Sequence, residues 1–555
     1  MEYYKFDLGS YRRVVSTESE QAQEWFRLGF VWTYGYNHEE AVACFEKAVE
    51  CDESFALAYW GIAYAIGPNY NKPWEFLEAE EKTRCLEKAQ RALDKAKENV
   101  KDISAVEQAL IDALNHRYPH ASTFEECRIW NDQYANAMRD VFKAHPDDLD
   151  VCALFVESLM NRTPWKLWNL TTGKAAEGAD TEEAVAILEE TFKIHPKAWE
   201  HPGLLHMYIH LMEMSPYPER ALCHGDVLCT LVPDSGHLVH MSTHIDLLCG
   251  DYHNVVSRNR VASIADEKYL EYAGANNFYT IYRCHNYHFE LYGAMFLGQF
   301  EQALKASEQL EQAIPIEMLE SLGDWMEAFI PMKQHVLVRF GKWQDILDQA
   351  LPSDPKLYSF TTAILHYART IALSNLKRLD EAHVSKQLFL AAKNAVPESR
   401  MIFNNTCRSI LEIAQLMLCG ELDYHEGNLE GAFENLRKCV NLDDNLPYDE
   451  PWGWMQPPRH ALGALLMEQG MTREAEMVYR ADLGLDETLS RPSQHHSNVW
   501  SLHGLHECLV RRGETAEVKY VKMLLDKAVA RATVPIKASC FCRSKCASSC
   551  DSLRN

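Results

Sequence analysis

The stretch Trp25-Phe26-Arg27-Leu28-Gly29-Phe30-Val31-Trp32, followed by Ala41, Phe45 and Ala48, decides the fold. Large apolar residues recur at helical intervals on both sides of a short polar turn, the pattern of two helices packed face to face. Gly29 and Ala41 are small enough to let the helices approach, and Phe45 fills the gap between them. The pattern returns along the chain. Glycines suited to turns between paired helices fall at Gly250, Gly298, Gly341, Gly427, Gly470 and Gly513, and the steps 298 to 341, 427 to 470 and 470 to 513 are each 43 residues. Only 25 of 555 residues are Gly, 47% are hydrophobic and 24% are charged, so the chain is globular and Gly-poor like helical proteins. Strict period-2 alternation is nearly absent, and no sheet is expected.

Breaks in the array fall at Gly67 to Pro73, Pro164 to Asp180, Pro352 to Pro355 and Pro447 to Pro458, and read as loops rather than domain linkers. Each helix pair buries its apolar face only against its neighbours, so residues 1–533 are expected to form a single unit. Periodicity ends near Val534, and 534–555 reads as a flexible Cys-containing tail. Its thiols, Cys540-x-Cys542-x3-Cys546-x3-Cys550, lack the paired C-x2-C spacing of zinc folds, and a metal or redox role is the minor reading of them. The net charge of −25 repels a phosphate backbone and an anionic leaflet alike, so neither nucleic acid nor membrane is an expected partner. The start shows no basic n-region and no apolar h-region. Seventeen cysteines, scattered singly as at Cys44, Cys223, Cys229, Cys249, Cys419 and Cys508, read as reduced core residues, and a cytoplasmic location is expected.

The histidines carry the functional signal. There are 24, almost as many as the glycines. His201-Pro202-Gly203 opens a segment with no later breaker, in which His206, His210 and Glu213 fall within about 60° of one another on a helix. In Gly236 to His244, the residues His237, His240 and His244 again share a face. The pairs His206/His240 and His210/His244 are both separated by 34 residues, so the two segments are expected to present equivalent positions to each other. Counting back ten residues from four of the turn glycines reaches His240, His288, His460 and His503.

A single buried imidazole is usually a hydrogen-bonded core residue. Five, with Glu213, on two adjacent faces are better satisfied by a divalent cation. His206, His210, His240 and His244 are the expected ligands of a transition metal, Fe, Cu or Zn, which the residues alone do not distinguish. Glu213, His237 and His288 are the candidate catalytic groups, as proton acceptors or further ligands. Trp165, Trp168, Tyr208, Arg283, His285, Trp452 and His460 are candidates for a substrate pocket, with ion pairing or capping as the competing role for the Arg and Trp residues. Arg162, beside Pro164 and Trp165, has the same two readings.

These motifs, together with Tyr34-Gly35-Tyr36-Asn37-His38-Glu39-Glu40-Ala41, Arg162-x-Pro164-Trp165-x-Leu167-Trp168 and Arg459-His460-x-Leu462-Gly463, resemble a largely uncharacterised family of bacterial and fungal tetratricopeptide-repeat proteins, over about Tyr11 to Leu509. The resemblance implies an all-α, tetratricopeptide-like helical-repeat solenoid, a superhelix enclosing a concave groove whose inner wall would carry the histidines. It names a fold and no reaction. The expected function is a metal-dependent enzyme acting on a small organic substrate, with an oxidoreductase favoured over a hydrolase or lyase. The alternative is a non-enzymatic scaffold binding a protein or peptide in the groove, but such grooves use Lys, Arg or Asn, whereas His, Met and Tyr stand at these positions.

Overall fold

A computed structural model describes residues 4–118 and 127–543. The chain is all-α, built of tandem helix pairs. Among the described residues, strands occur only as two two-residue hairpins, Trp168–Asn169 with Lys174–Ala175 and Met401–Ile402 with Asn405–Thr406.

The first pair shows why these residues fold this way. Helix Glu20–Tyr34 is capped by the Ser19 side chain, which accepts from the Ala22 N–H. Helix His38–Cys51 is capped by Asn37, which accepts from the Glu40 N–H. The two are joined by a tight turn in which Tyr36 takes a positive φ of 54°. Phe45 does occupy the gap: a methyl group added to Gly29 would lie 2.9 Å from its ring, and one added to Gly61, on helix Ala56–Ala65, 2.7 Å. Replacing either glycine would push three helices apart. The expected turn glycines from Gly250 to Gly513 all adopt positive φ. At Gly298 the need is explicit, because at φ 72° the chain reverses so that Gly298 and Gln299 donate to the carbonyls of Met295 and Ala294.

Where one unit is expected, the chain divides into two compact units, Met1–Ile245 with Ile264–Lys268, and Asp246–Ser263 with Tyr269–Asn555. In the first, Phe26, Trp32, Trp60 and Trp74 are fully buried; in the second, Tyr292, Tyr367, Trp454, Tyr479 and Trp500. The first ten residues of the expected tail make contacts with the rest of the second unit. Thr533 donates to the Gly298 carbonyl at 3.0 Å, Ser539 is buried, and Arg543 pairs with both oxygens of Glu507 at 2.7 and 3.0 Å. Residues 544–555, with Cys546 and Cys550, lie outside the described residues. The cysteines also differ from expectation. Cys44 and Cys508 are buried thiols, but Cys223 is exposed, Cys229, Cys249 and Cys419 are half-buried, and Cys540 pairs with Cys542 as a disulfide.

Candidate metal centre

Helix Pro202–Glu213 of the first unit is buried on every side, so its polar side chains must find partners inside the protein. Its start is pinned by His201, whose Nδ1 accepts from the Leu204 N–H at 3.2 Å and whose Nε2 lies 3.0 Å from Asp150. Asp150 also receives the Tyr34 hydroxyl at 2.6 Å and Arg13 at 2.5 Å. Burial would raise the Asp150 pKa, but the Arg13 guanidinium, with His201 and Tyr11, outweighs it and holds the carboxyl well below its ordinary range. The helix is therefore fixed in position before its histidines are considered.

His206, His210 and Glu213 share one face, as their spacing dictates. The His206 Nδ1–H donates to the Tyr34 carbonyl at 2.7 Å. His210 Nδ1 and His244 Nδ1 lie 3.0 and 2.8 Å from the two oxygens of Glu213. A carbonyl and a carboxylate only accept, so in each ring Nδ1 carries the proton and Nε2 keeps its lone pair. Neither His206 Nε2 nor His210 Nε2 has a hydrogen-bond partner among the described residues. One ring nitrogen each from His206, His210 and His237 lies within 4.8 Å of the others. Small ring rotations would close them to the ~3.4 Å edge of a tetrahedral ion with ~2.1 Å bonds to nitrogen.

Burial lowers the His206 pKa to about 3 against the opposing Tyr34 hydrogen bond. It also holds His210 and His237 well below the ordinary histidine value, and the neighbouring imidazoles add to the shift. All three rings are neutral at pH 7, the state a metal requires.

The six expected residues thus come together in the first unit with altered roles. His237 joins His206 and His210, while His240 and His244 face each other through their Nε2 atoms at 2.8 Å. With the His244 Nδ1 proton on Glu213, His244 Nε2 accepts and the His240 Nε2–H donates. Glu213, expected as a proton acceptor, a further ligand or a support behind the ligands, has one oxygen on each of two histidines and lies with His210 and His244 in a group that could itself hold an ion. Two loops complete the surroundings. The Tyr70 ring lies tilted 5.0 Å from His210 and 5.1 Å from Trp165, and Trp165 stands edge-on 5.9 Å from His210.

Tyr36, like Tyr70, is a residue beside the cluster that sequence reasoning missed. Its ring centroid lies 4.6 Å from His206 and 5.6 Å from His237. The positive φ of a bulky non-glycine residue aims it there, and no sequence pattern announces that strain.

Other candidates have structural roles. Tyr208 lies two positions from both His206 and His210, on the opposite face, where its hydroxyl donates to Glu189 at 2.9 Å; it does not line the cluster. The Trp168 indole donates to the Leu211 carbonyl at 2.6 Å, and Arg162 pairs with Asp132 and Asp180. The remaining candidates belong to the second unit. There His288 Nε2 lies 3.1 Å from Met455 Sδ, His285 packs on Phe289 and Phe403, Arg283 donates to the Ala313 carbonyl, and Trp452 donates to Asp443. His460 is bonded between Asp482 at 3.0 Å and Arg339 at 2.9 Å.

No family model matches the chain, and no curated protein matches it. Solved structures share its helical architecture at low identity. The Cut9–Hcn1 hetero-tetramer of the APC/C is 12% identical over 93% of this chain and 78% of that one, with a TM-score of 0.31. Yeast Tom70 is 11% identical over 91% and 92%, with a TM-score of 0.29. A human IFIT1 dimer with m7Gppp-AAAA is 10% identical over 93% and 92%, with a TM-score of 0.30. Scores of this size carry no argument about function. No helix among the described residues is long and apolar enough to cross a membrane.

Proposed function

We propose that the first unit binds a transition-metal ion through His206 Nε2, His210 Nε2 and a ring nitrogen of His237, and that the protein is a metal-dependent enzyme acting on a small organic molecule. One observation carries this reading: two buried neutral imidazoles, each locked by an oxygen acceptor on Nδ1, present lone pairs beside a third imidazole with no donor among the described residues to receive them. Leaving such nitrogens buried costs ~1–3 kcal/mol each, and a cation offsets that cost. Neutral nitrogen donors suit zinc, copper, iron or nickel. Three protein ligands leave coordination positions open, so a bound ion would supply Lewis-acid or redox chemistry there. Glu213 and the Tyr34 carbonyl hold the ligand rings in the binding tautomer, and Tyr36, Tyr70 and Trp165 place aromatic walls beside them.

The test is elemental analysis of the full chain purified without a histidine tag. Stoichiometric transition metal that disappears in His206→Ala with His210→Ala supports the reading. Metal-free protein that takes up none on addition refutes it, and the peptide-scaffold alternative would then stand.

A further inference from the structure

The second unit ends in a segment that carries two sulfurs to a buried carboxylate. Before the sulfurs, Ser539 donates from Oγ to the His460 carbonyl at 2.8 Å, lies 2.6 Å from the Tyr479 hydroxyl, and receives Arg339 on its own carbonyl. After them, Arg543 grips Glu507 with both terminal nitrogens. Phe541, between the sulfurs, packs where Gly341 has no side chain; a methyl group there would lie 2.8 Å from Phe541 Cβ. Cys540 and Cys542 are therefore held from both sides. Opposite them, on helix Cys407–Glu426, stands Glu421, 2% exposed, with Asn375 donating to Oε2 at 3.0 Å. One Glu421 oxygen and the two Sγ atoms lie within 4.8 Å of one another. The sulfurs are joined as a disulfide, which is neutral, so Asn375 and the charge of Arg339 are what offset the burial of the Glu421 carboxyl.

We propose that Cys540, Cys542 and Glu421, once the disulfide is reduced, form a second metal site, for a soft divalent cation of the zinc type, and that the disulfide is the form that excludes it. Two equivalents of a small thiol deliver two electrons and two protons to the disulfide, giving two cysteine thiols and one small-molecule disulfide. Cation binding then displaces two thiol protons. It leaves two thiolates and a carboxylate around a doubly charged ion, with the fourth tetrahedral position open to water. Cys542 is fully buried and Cys540 half-buried, so the open position lies on the Cys540 side. The site shares no residue with the histidine centre and does not depend on it.

Cobalt(II) distinguishes the two centres, because only thiolate ligation produces intense sulfur-to-metal charge-transfer absorption in the near ultraviolet. The full chain is reduced with a phosphine, freed of reductant under argon and titrated with Co²⁺, alongside protein left oxidised. The expected result is a charge-transfer band in the reduced sample, absent from the oxidised one, retained in His206→Ala with His210→Ala, and lost in Cys540→Ser with Cys542→Ser. Glu421→Gln should weaken Co²⁺ binding about 10-fold. Peptide-level alkylation of the unsubstituted reduced protein checks the assignment independently of how the variants fold: Zn²⁺ should shield Cys540 and Cys542 together. A reduced protein with no such band, a band that survives the double Ser substitution, or alkylation of both cysteines indifferent to Zn²⁺ would overturn the proposal.

Discussion

His240 in the first unit and His460 in the second stand at the same register, ten residues before Gly250 and Gly470, and both are buried. Their surroundings differ. His460 is closed on both nitrogens: Arg339 donates to Nδ1, and the Nε2–H donates to Asp482. Asp482 also receives His495 at 2.9 Å, Asn498 at 2.9 Å and Ser501 at 2.5 Å. Burial would raise the Asp482 pKa, but His460 and His495 outweigh it, and the carboxyl stays well below its ordinary range. His240 instead faces another imidazole, and two turns of adjoining helix hold His206 and His210 with bare Nε2 atoms. Repeat register tells where a histidine sits; the identity of the next polar residue decides whether it closes a structural network or is left open for a ligand.

This contrast predicts opposite outcomes on substitution. The largest effect is expected at the open cluster, where, in protein with the Cys540–Cys542 disulfide intact, His206→Ala with His210→Ala should take metal content from stoichiometric to none with the helical ellipticity unchanged. A fold lost along with the metal would mean that those rings serve the core, as His460 does. In the closed network, Asp482→Ala should strand His460, His495, Asn498 and Ser501 in the interior and cost ~3–5 kcal/mol of stability by chemical denaturation, with metal content per folded chain unaffected. A loss under ~1 kcal/mol would show that water relieves the stranded donors.

Glu213→Gln tests the carboxylate that joins His210 and His244. The amide keeps the shape but offers only one acceptor for two Nδ1 donors. Metal affinity should fall about 10–100-fold while stoichiometry at saturating metal is kept. Unchanged affinity would remove Glu213 from the assembly that orients the ligands.

Much of the architecture was legible because it follows from local rules. Phe45 between two glycines and the turn glycines at positive φ are consequences of helix pairing, and both are visible in the order of residues. The gathering of His206, His210, Glu213, His237, His240 and His244 was legible from helical periodicity plus one repeat step. Which of them would form the triad was not. His237 lies nearly a turn closer to the helix start than His240, and only the packing of the two helices decides which of them meets His206 and His210. Tyr36 and Tyr70 were invisible as site residues for a different reason. Both stand in or beside turns, where ring direction depends on backbone conformation rather than on a period. The anchoring of residues 534–543 escaped because it rests on long-range bonds, from Ser539 and Arg543, made by a segment without periodicity of its own.

The smallest expected effect concerns a histidine in neither arrangement and isolates what burial alone does. His335 packs edge-on against Trp454 at 5.1 Å, and burial lowers its pKa to about 3. In the unfolded chain it titrates near ~6.5. Between those values the unfolded state binds a proton that the folded state refuses, so the stability due to a neutral His335 is fully present above pH ~6.5. It is lost on acidification at up to ~1.4 kcal/mol per pH unit, until the folded ring itself protonates. His335→Gln keeps a polar side chain of similar reach without the titration. Lost packing should make the variant less stable at pH 7, and its deficit against the unsubstituted protein should shrink by about 1 kcal/mol per unit below pH 6.5. Denaturation midpoints of both proteins at pH 7, 6, 5 and 4.5 measure this, a window kept above the ~3.9 at which unfolded aspartates take up protons. Parallel stability curves would mean that His335 is protonated in the folded protein, and that burial alone does not keep histidines neutral in this chain.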